Sequence, residues 1–444
     1  MKDARALRIV FYEPAGRGGI CHYTWELAEH LALAGHDVTV WTTAGYELAD
    51  YPRHFRVRRL FRASLLKRAL RAVSARKESA GSPAGAPAGG RGQAGGFFGR
   101  LRRLRLRLLH ARAVATLLLR RPDIVHFQWL ADPEIDVALM RTLRAAGILV
   151  VYTAHDVLLR ERNDTERERT VRSRLYRAPD RIVVHSEADR RELAEAFGVA
   201  RENVSVVPHG AYDFRFGSGG TVEAGEARRR LGIPRERKVV LFFGLIKRYK
   251  GLGYLISAFD LVASRRDDAF LLIVGDAPRF DADRAEMDRI AALGTRENVR
   301  AVIGYVPIED IPVYFAAADV VVLPYTEISQ SGVLLSAYGA GRPVVATAVG
   351  GLPETVEEGG TGRVVAPRDA EAIADAVLDI LSDPERARAM GRRARELSAT
   401  AYSWESIARR TAQTYAEAGR RAGRLRAKTR HRLRASESWT GPGG

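Results

Sequence analysis

With 444 residues the chain is too long for one ordinary hydrophobic core, so two domains of about 150–200 residues each are expected. No apolar run approaches the roughly 18 residues needed to cross a membrane, and MKDARALRIVFYEP enters a strand almost at once without a signal-peptide stretch. The single cysteine, Cys21, excludes an internal disulfide and fits a reducing cytoplasm; with no further ligands at zinc spacing, Cys21-His22 is not a metal pair. The net charge of +18 is concentrated in two places. Arg53–Arg121 carries 19 Lys/Arg against the one acid Glu78, and Arg420–Arg434 carries eight against none. The rest of the chain has no positive excess, so the charge belongs to two segments and not to the fold.

Short apolar runs alternate with helical patterns, which predicts parallel sheets flanked by helices. The first series runs Leu7–Tyr12, Val38–Trp41, Ile124–Phe127, Leu149–Tyr152, Ile182–Val184 and Val204–Val207. A glycine-rich break at Gly217–Gly225 precedes a second: Val239–Phe243, Phe270–Val274, Val299–Ile303, Val320–Leu323 and Val344–Ala346. Such runs suit strands covered on both faces. Ligands of these sheets bind beyond the carboxyl ends of the strands, so the site is expected in a cleft between the two domains. Ala80–Gly96, AGSPAGAPAGGRGQAGG, has a linker's composition and separates two basic helical candidates, Ser64–Lys77 and Phe97–Leu119.

Several strand ends carry chemistry. Gly18-Gly19 opens the first helix, where glycine lets backbone approach a phosphate; tight turns of this kind also occur without a ligand. Gly244-Leu245-Ile246-Lys247-Arg248-Tyr249-Lys250 gathers three cations after a buried strand, suited to a pyrophosphate. A solvated basic loop is the plain alternative. His155-Asp156 ends another strand, and a histidine there either faces a ligand or is satisfied locally. His126 and His209 also end strands; His209-Gly210 is read as a turn leaving the first domain. The stretch Pro324–Glu354, PYTEISQSGVLLSAYGAGRPVVATAVGGLPE, runs through strand end, polar loop, short helix, buried strand and glycine loop. Its loop turns backbone N–H groups and a positive helix end toward an anion.

The order Gly-Gly loop, His-Asp, cation loop, Gln330-Ser331-Gly332-Val333 and Gly350-Gly351-Leu352-Pro353-Glu354 resembles retaining glycosyltransferases of family 4. The resemblance covers most of Leu7–Ala418 apart from the basic insertion. It implies the α/β GT-B fold, two Rossmann-like doubly wound domains facing a cleft: residues 1–215 on the acceptor side, with a partly flexible insertion at 62–111, and 236–396 for the nucleotide sugar. A helix at 397–418 would cross back to the first domain, and 419–444 would be a disordered basic tail. The implied reaction moves a sugar from a nucleoside diphosphate sugar to a hydroxyl acceptor, with the donor as co-substrate, no cofactor and no metal. His155, Lys250 and Lys247 are the implied catalytic residues. Gly18, Gly19, Gly244, Arg248, Glu327, Gln330, Ser331, Gly332, Val333 and Ser336 would hold the donor, with the base against Tyr305 and Val306 and His126 on the acceptor side. Three positions depart from the family pattern: Leu245 stands at its arginine, and Ile328 and Ser336 at its two glutamates. These departures motivate the alternative of a noncatalytic protein that binds a sugar nucleotide or glycan.

Phe and Leu among the arginines of 62–111, with the basic run 420–434, suit an anionic membrane surface. The expected partners are therefore a glycan or lipid-linked acceptor and that surface, for a cytoplasmic protein peripheral on the inner face of the membrane. A solvated arginine-rich insertion is the equal alternative. No nucleic-acid-binding module is recognised.

Overall fold

The computed structural model describes residues 6–61, 111–157, 165–212, 222–277, 284–294 and 296–437, with side chains as far as residue 423. The linker Ala80–Gly96, the helical candidate Ser64–Lys77 and most of Phe97–Leu119 lie outside the described residues; 111–120 are helical.

Thirteen described strands form two sheets. The first contains β1 (Arg8–Tyr12), β2 (Asp37–Thr43), β3 (Arg56–Phe61), β4 (Ile124–Phe127), β5 (Leu149–Thr153), β6 (Arg181–Val184) and β7 (Val204–Val206), in the order β3-β2-β1-β4-β5-β6-β7. The second contains β8 (Lys238–Phe243), β9 (Ala269–Gly275), β10 (Val299–Ile303), β11 (Val320–Leu323), β12 (Val344–Thr347) and β13 (Gly362–Val365), in the order β10-β9-β8-β11-β12-β13. Neighbours run parallel, for example Ile9 beside Ile124 and Val321 beside Leu241. The strand order of the second sheet is that of a doubly wound dinucleotide-binding fold, whose direction of winding switches between β8 and β11.

Alternation within the strands explains why this sheet is covered twice. Val240 and Phe242 of β8 and Leu271 and Ile273 of β9 face one core, shared with Leu252–Ala263 and Ala370–Ser382. Val239, Leu241, Phe270 and Leu272 face the other, with Leu334 and Leu335 of helix Gly332–Gly339.

Two strands are absent from the sequence reading, and both are sheet edges. β3 is RVRRLF, and β13 is GRVV. An edge strand needs no unbroken apolar run, so arginines and glycine hid them. The last helix, Trp404–Glu437, continues beyond the expected end at Ala418 through residues assigned to a disordered tail. That stretch is rich in Ala, Arg and Leu and free of proline, which favours helix.

The chain divides into two compact units. One comprises Met1–Thr153, Glu166–Ile182 and Ala412–Gly444; the other comprises Ala154–Thr165 and Val183–Thr411. His155, the cation loop and the Pro324–Glu354 stretch all belong to the second unit.

Candidate active site

The winding switch of the second sheet brings together the loops after β8 and β11. Thr326 N–H donates to Tyr249 O at 2.8 Å. Gly251 has φ +65°, and a β-carbon there would fall 1.9 Å from Pro324 O. Only glycine meets both conditions, so the close approach of the loops is written in that residue. Immediately before it, Lys250 ends the short 3-10 turn Arg248–Lys250 and is 92% buried. Its ammonium lies 3.8 Å from the centroid of the Tyr325 ring. No carboxylate among the described residues pairs with it. The Tyr249 ring lies 5.3 Å from it as well; a desolvated cation held by rings is only partly compensated, and an anion would complete it. Arg248 and Leu245 are exposed beside it, while Lys247 caps the turn. Gly244 has φ +123°, and its carbonyl leaves no room for a side chain at Gly275.

Tyr325 joins this cation to the next loop, since its hydroxyl lies 3.3 Å from Ser331 Oγ. Ser331 precedes helix Gly332–Gly339, whose start has no side-chain cap. The Gln330 side chain turns back, and its Oε1 accepts from Ser331 N–H at 2.7 Å. Among the described residues, no acceptor meets the N–H groups of Gly332 or Val333. The loop therefore offers fewer open amides than its sequence implies: Ser331's is taken, and those at the helix end remain.

The residues at the two glutamate positions of the family pattern have structural roles. Ile328 is buried in the core beneath the loop. Ser336 is buried, and its hydroxyl donates to Gly332 O at 2.9 Å, which leaves only its lone pairs for a ligand. Glu327 is half-buried on the same loop.

His155 is half-buried and belongs to a series that sequence reasoning missed. Its Nδ1 lies 3.2 Å from Nε2 of His185, and His185 Nδ1 donates to Val207 O at 2.9 Å. The His185 ring packs at 5.5 Å against His209, which in turn meets Tyr212 and Trp404. Burial lowers the pKa of His185 to about 4 and that of His209 to about 3, so both are neutral at physiological pH. The column reaches the donor loop: a β-carbon on Gly332 would lie 3.3 Å from Tyr212 Cε2 and 3.8 Å from His209 Nε2. His209-Gly210 is thus more than a turn. Gly210 is required because Trp404 fills the space where its β-carbon would stand. The signal available in sequence was the recurrence of strand-end histidine at 126, 155, 185 and 209.

The Gly-Gly-Leu-Pro-Glu element braces this arrangement. Gly351 N–H donates to Ser329 O, and Glu354 accepts from the N–H groups of Glu187 and Ala188 at 2.7 and 2.8 Å. Glu354 thereby caps helix Glu187–Phe197 beside the N-cap Ser186.

In the first unit, His126 corrects the expectation of an acceptor-side residue. It is fully buried between Phe11 and Tyr415, with Nδ1 2.8 Å from the Tyr415 hydroxyl and Nε2 2.7 Å from Thr153 Oγ1. Both nitrogens are satisfied inside the core, so the ring cannot line a binding surface. Gly18 and Gly19 open helix Gly19–Leu33 and have free space where side chains would be. Gly18 N–H is already taken by Glu47 at 2.8 Å. Glu13, absent from the sequence reading, organises this loop from the end of β1. It accepts from the N–H groups of Ala15 and Gly16 and from Thr42 Oγ1, and burial pushes its pKa up to about 7.

Tyr305 and Val306 follow β10; the tyrosine is half exposed, and Val306 packs on the core. Among the described residues, no group of three His, Cys, Asp or Glu is placed to hold a metal. Likewise, no described helix is long and apolar enough to cross a membrane.

This architecture has close counterparts. The Anabaena protein Alr3699/HepE, solved with UDP and glucose, superposes with a TM-score of 0.68 over 92% of this chain and 99% of that one, at 21% identity. Sucrose-phosphate synthase from Thermosynechococcus elongatus gives 0.66 over 92% and 98%, at 23% identity. The fold is therefore the GT-B fold. The family profile described as Glycosyltransferase Family 4 matches residues 17–212, and that described as Glycosyl transferases group 1 matches 237–383. D-inositol 3-phosphate glycosyltransferase of Corynebacterium aurimucosum is 33% identical over 65% of this chain and 68% of its own length. The GDP-mannose-dependent alpha-(1-6)-phosphatidylinositol monomannoside mannosyltransferase of Mycolicibacterium smegmatis is 34% identical over 58% and 66%. The chain spans about two thirds of the length of these relatives. It belongs to the family 4 glycosyltransferases.

Proposed function

We propose that this glycosyltransferase moves a hexose from a nucleoside diphosphate sugar to a hydroxyl acceptor with retention of anomeric configuration. The observation that carries the reading is the buried Lys250 ammonium over Tyr325, joined through that ring to the helix start bearing the open amides of Gly332 and Val333. A diphosphate would receive a cation and two backbone donors there, and the same groups would stabilise it as it leaves. His155 would meet the donor sugar, and Tyr305 and Val306 the base. Lys247 and Arg248 would add positive charge at the mouth of the loop, in place of the arginine replaced by Leu245.

Neither position at which the family carries a glutamate offers a carboxylate nucleophile, since Ile328 is core and Ser336 is bonded to its own helix, and Glu327 is read as a contact to the donor. The reading is therefore a same-face displacement. The bond from the anomeric carbon to the phosphate oxygen breaks, the acceptor oxygen bonds to that carbon, and the acceptor proton passes to the leaving phosphate. Protein cations replace a metal in this scheme. A phosphorylated or lipid-linked polyol acceptor is supported by the relatives, named as a D-inositol 3-phosphate glycosyltransferase and a phosphatidylinositol monomannoside mannosyltransferase. The basic segments 62–111 and 420–434 support an anionic membrane surface as partner.

The test is incubation with UDP-, GDP- and ADP-sugars and a panel of inositol phosphates and phosphatidylinositol glycosides, with the product anomer read by NMR. Transfer with the donor's configuration retained is expected; an inverted product would overturn the mechanism.

A further inference from the structure

We infer that His185 is a positioning residue for sugar transfer: it locks His155 in the tautomer protonated at Nδ1, so that Nε2 is the atom with which His155 accepts a hydrogen bond. The inference rests on the reading of His155 as the contact to the donor sugar.

The directions of two hydrogen bonds fix the tautomer. Val207 O is a carbonyl and can only accept, so His185 Nδ1, 2.9 Å away, carries a proton. His185 is fully enclosed, and burial among rings disfavours a second proton on it. Its Nε2 therefore holds a lone pair. That lone pair faces His155 Nδ1 at 3.2 Å, and two nitrogens at this distance need one proton between them. The proton must come from His155. Its Nδ1 is thus N–H, and the acceptor lone pair of the neutral ring is at Nε2.

The backbone holds both partners in place. Ala154 N–H donates to Val183 O at 2.9 Å, which fixes the strand end bearing His155 beside the one bearing His185. Val207 N–H donates to Val184 O at 2.9 Å, which fixes the carbonyl that sets the sequence of bonds. His209 packs edge-on against His185, with ring centroids 5.5 Å apart. A free neutral histidine ring favours the proton on Nε2, so the enforced tautomer is the minor form of the free side chain. With it, His155 would accept from a sugar hydroxyl; in the other form it would present a donor to that hydroxyl.

The test uses the full-length chain labelled with nitrogen-15 in histidine, with His155 assigned by difference against His155→Gln. Long-range proton–nitrogen correlation at neutral pH then reads the tautomer directly. The wild type is expected to show His155 protonated at Nδ1. His185→Phe should return it to the Nε2 form and lower kcat about tenfold, with the acceptor KM unchanged. His185→Gln supplies an amide oxygen that can accept from His155, and it should keep both the tautomer and kcat within about threefold. His155 protonated at Nε2 in the wild type would overturn the inference, and this measurement requires no variant to fold. A tautomer unmoved in His185→Phe, or equal loss of kcat in the Phe and Gln variants, would overturn it too. If the tautomer moves but kcat holds, and His155→Gln is as active as the wild type, the failure lies in the donor-sugar reading, and the positioning role falls with it.

Discussion

Replacing Lys250 with methionine separates a binding cation from a structural one. Methionine keeps the length of the stem and removes the charge. On the stability side two effects oppose each other. Contact with the Tyr325 ring at 3.8 Å contributes about 0.5–2 kcal/mol, which the variant loses in part. Against this, an ammonium 92% buried with no carboxylate partner bears a desolvation cost of similar or greater size, which the variant relieves. The ligand-free variant should therefore unfold within about 1 kcal/mol of the wild type. On the activity side nothing compensates. A charge-assisted hydrogen bond to a buried phosphate contributes about 1.5–3 kcal/mol, so transfer should fall between about tenfold and a hundredfold. The assay pairs denaturant unfolding of the free protein with initial rates of sugar transfer. If stability falls by several kcal/mol and activity falls only in proportion to unfolded protein, Lys250 is a packing residue and the reasoning is refuted.

Four further outcomes follow from the geometry. The raised pKa of Glu13 means that the folded state holds more protons than the unfolded state between about pH 4.5 and 7. Its stabilising contribution is thus complete below that window and is lost as pH rises through it, by up to about 3 kcal/mol; Glu13→Gln should flatten this component when unfolding of both proteins is compared from pH 5 to 8. His126→Phe should cost about 1–3 kcal/mol by stranding the buried hydroxyls of Tyr415 and Thr153, yet leave kcat per folded molecule unchanged in steady-state assays. Gly251→Ala should lower transfer more than tenfold, because neither φ +65° nor the 1.9 Å approach of Pro324 O tolerates a β-carbon and the Lys250 loop must move; wild-type rates would show that the loop has another way to close. Exhaustive chelation of divalent metal should leave the rate unchanged, whereas loss of activity restored by added metal would reverse the assignment of charge neutralisation to Lys250 and its neighbours.

The central strands β4 and β11 were legible because they are buried on both faces and therefore written as short, largely apolar runs, and both coincide with their sequence readings to the residue; the edge strand β10 coincides as well, although Arg300 and Ala301 are exposed. Glycine loops and cations at strand ends were legible for a related reason, since the fold confines ligands to that end of the sheet. What was not legible depends on partners distant in sequence. Tyr325 holds Lys250 across 75 residues, and His126 is closed off by Tyr415, 289 residues away. His185 has no motif of its own; its role appears only when Val207 and His155 stand on either side of it. Ser336 and Gln330 show a subtler limit. Their residue types promised polar contacts to a ligand, but Gln330 bonds the next backbone amide and Ser336 makes the i−4 back-bond open to any helical serine, so residue type alone did not show which polar atoms remain available.

The proposed grip of Lys250 and the start of helix Gly332–Gly339 on a diphosphate is tested by the difference between two titrations. Calorimetric binding of the nucleoside diphosphate of the preferred donor should be at least tenfold tighter than binding of the matching monophosphate, since the second phosphate gains the charge-assisted contact. Equal affinity for the two nucleotides would contradict the assignment of this site.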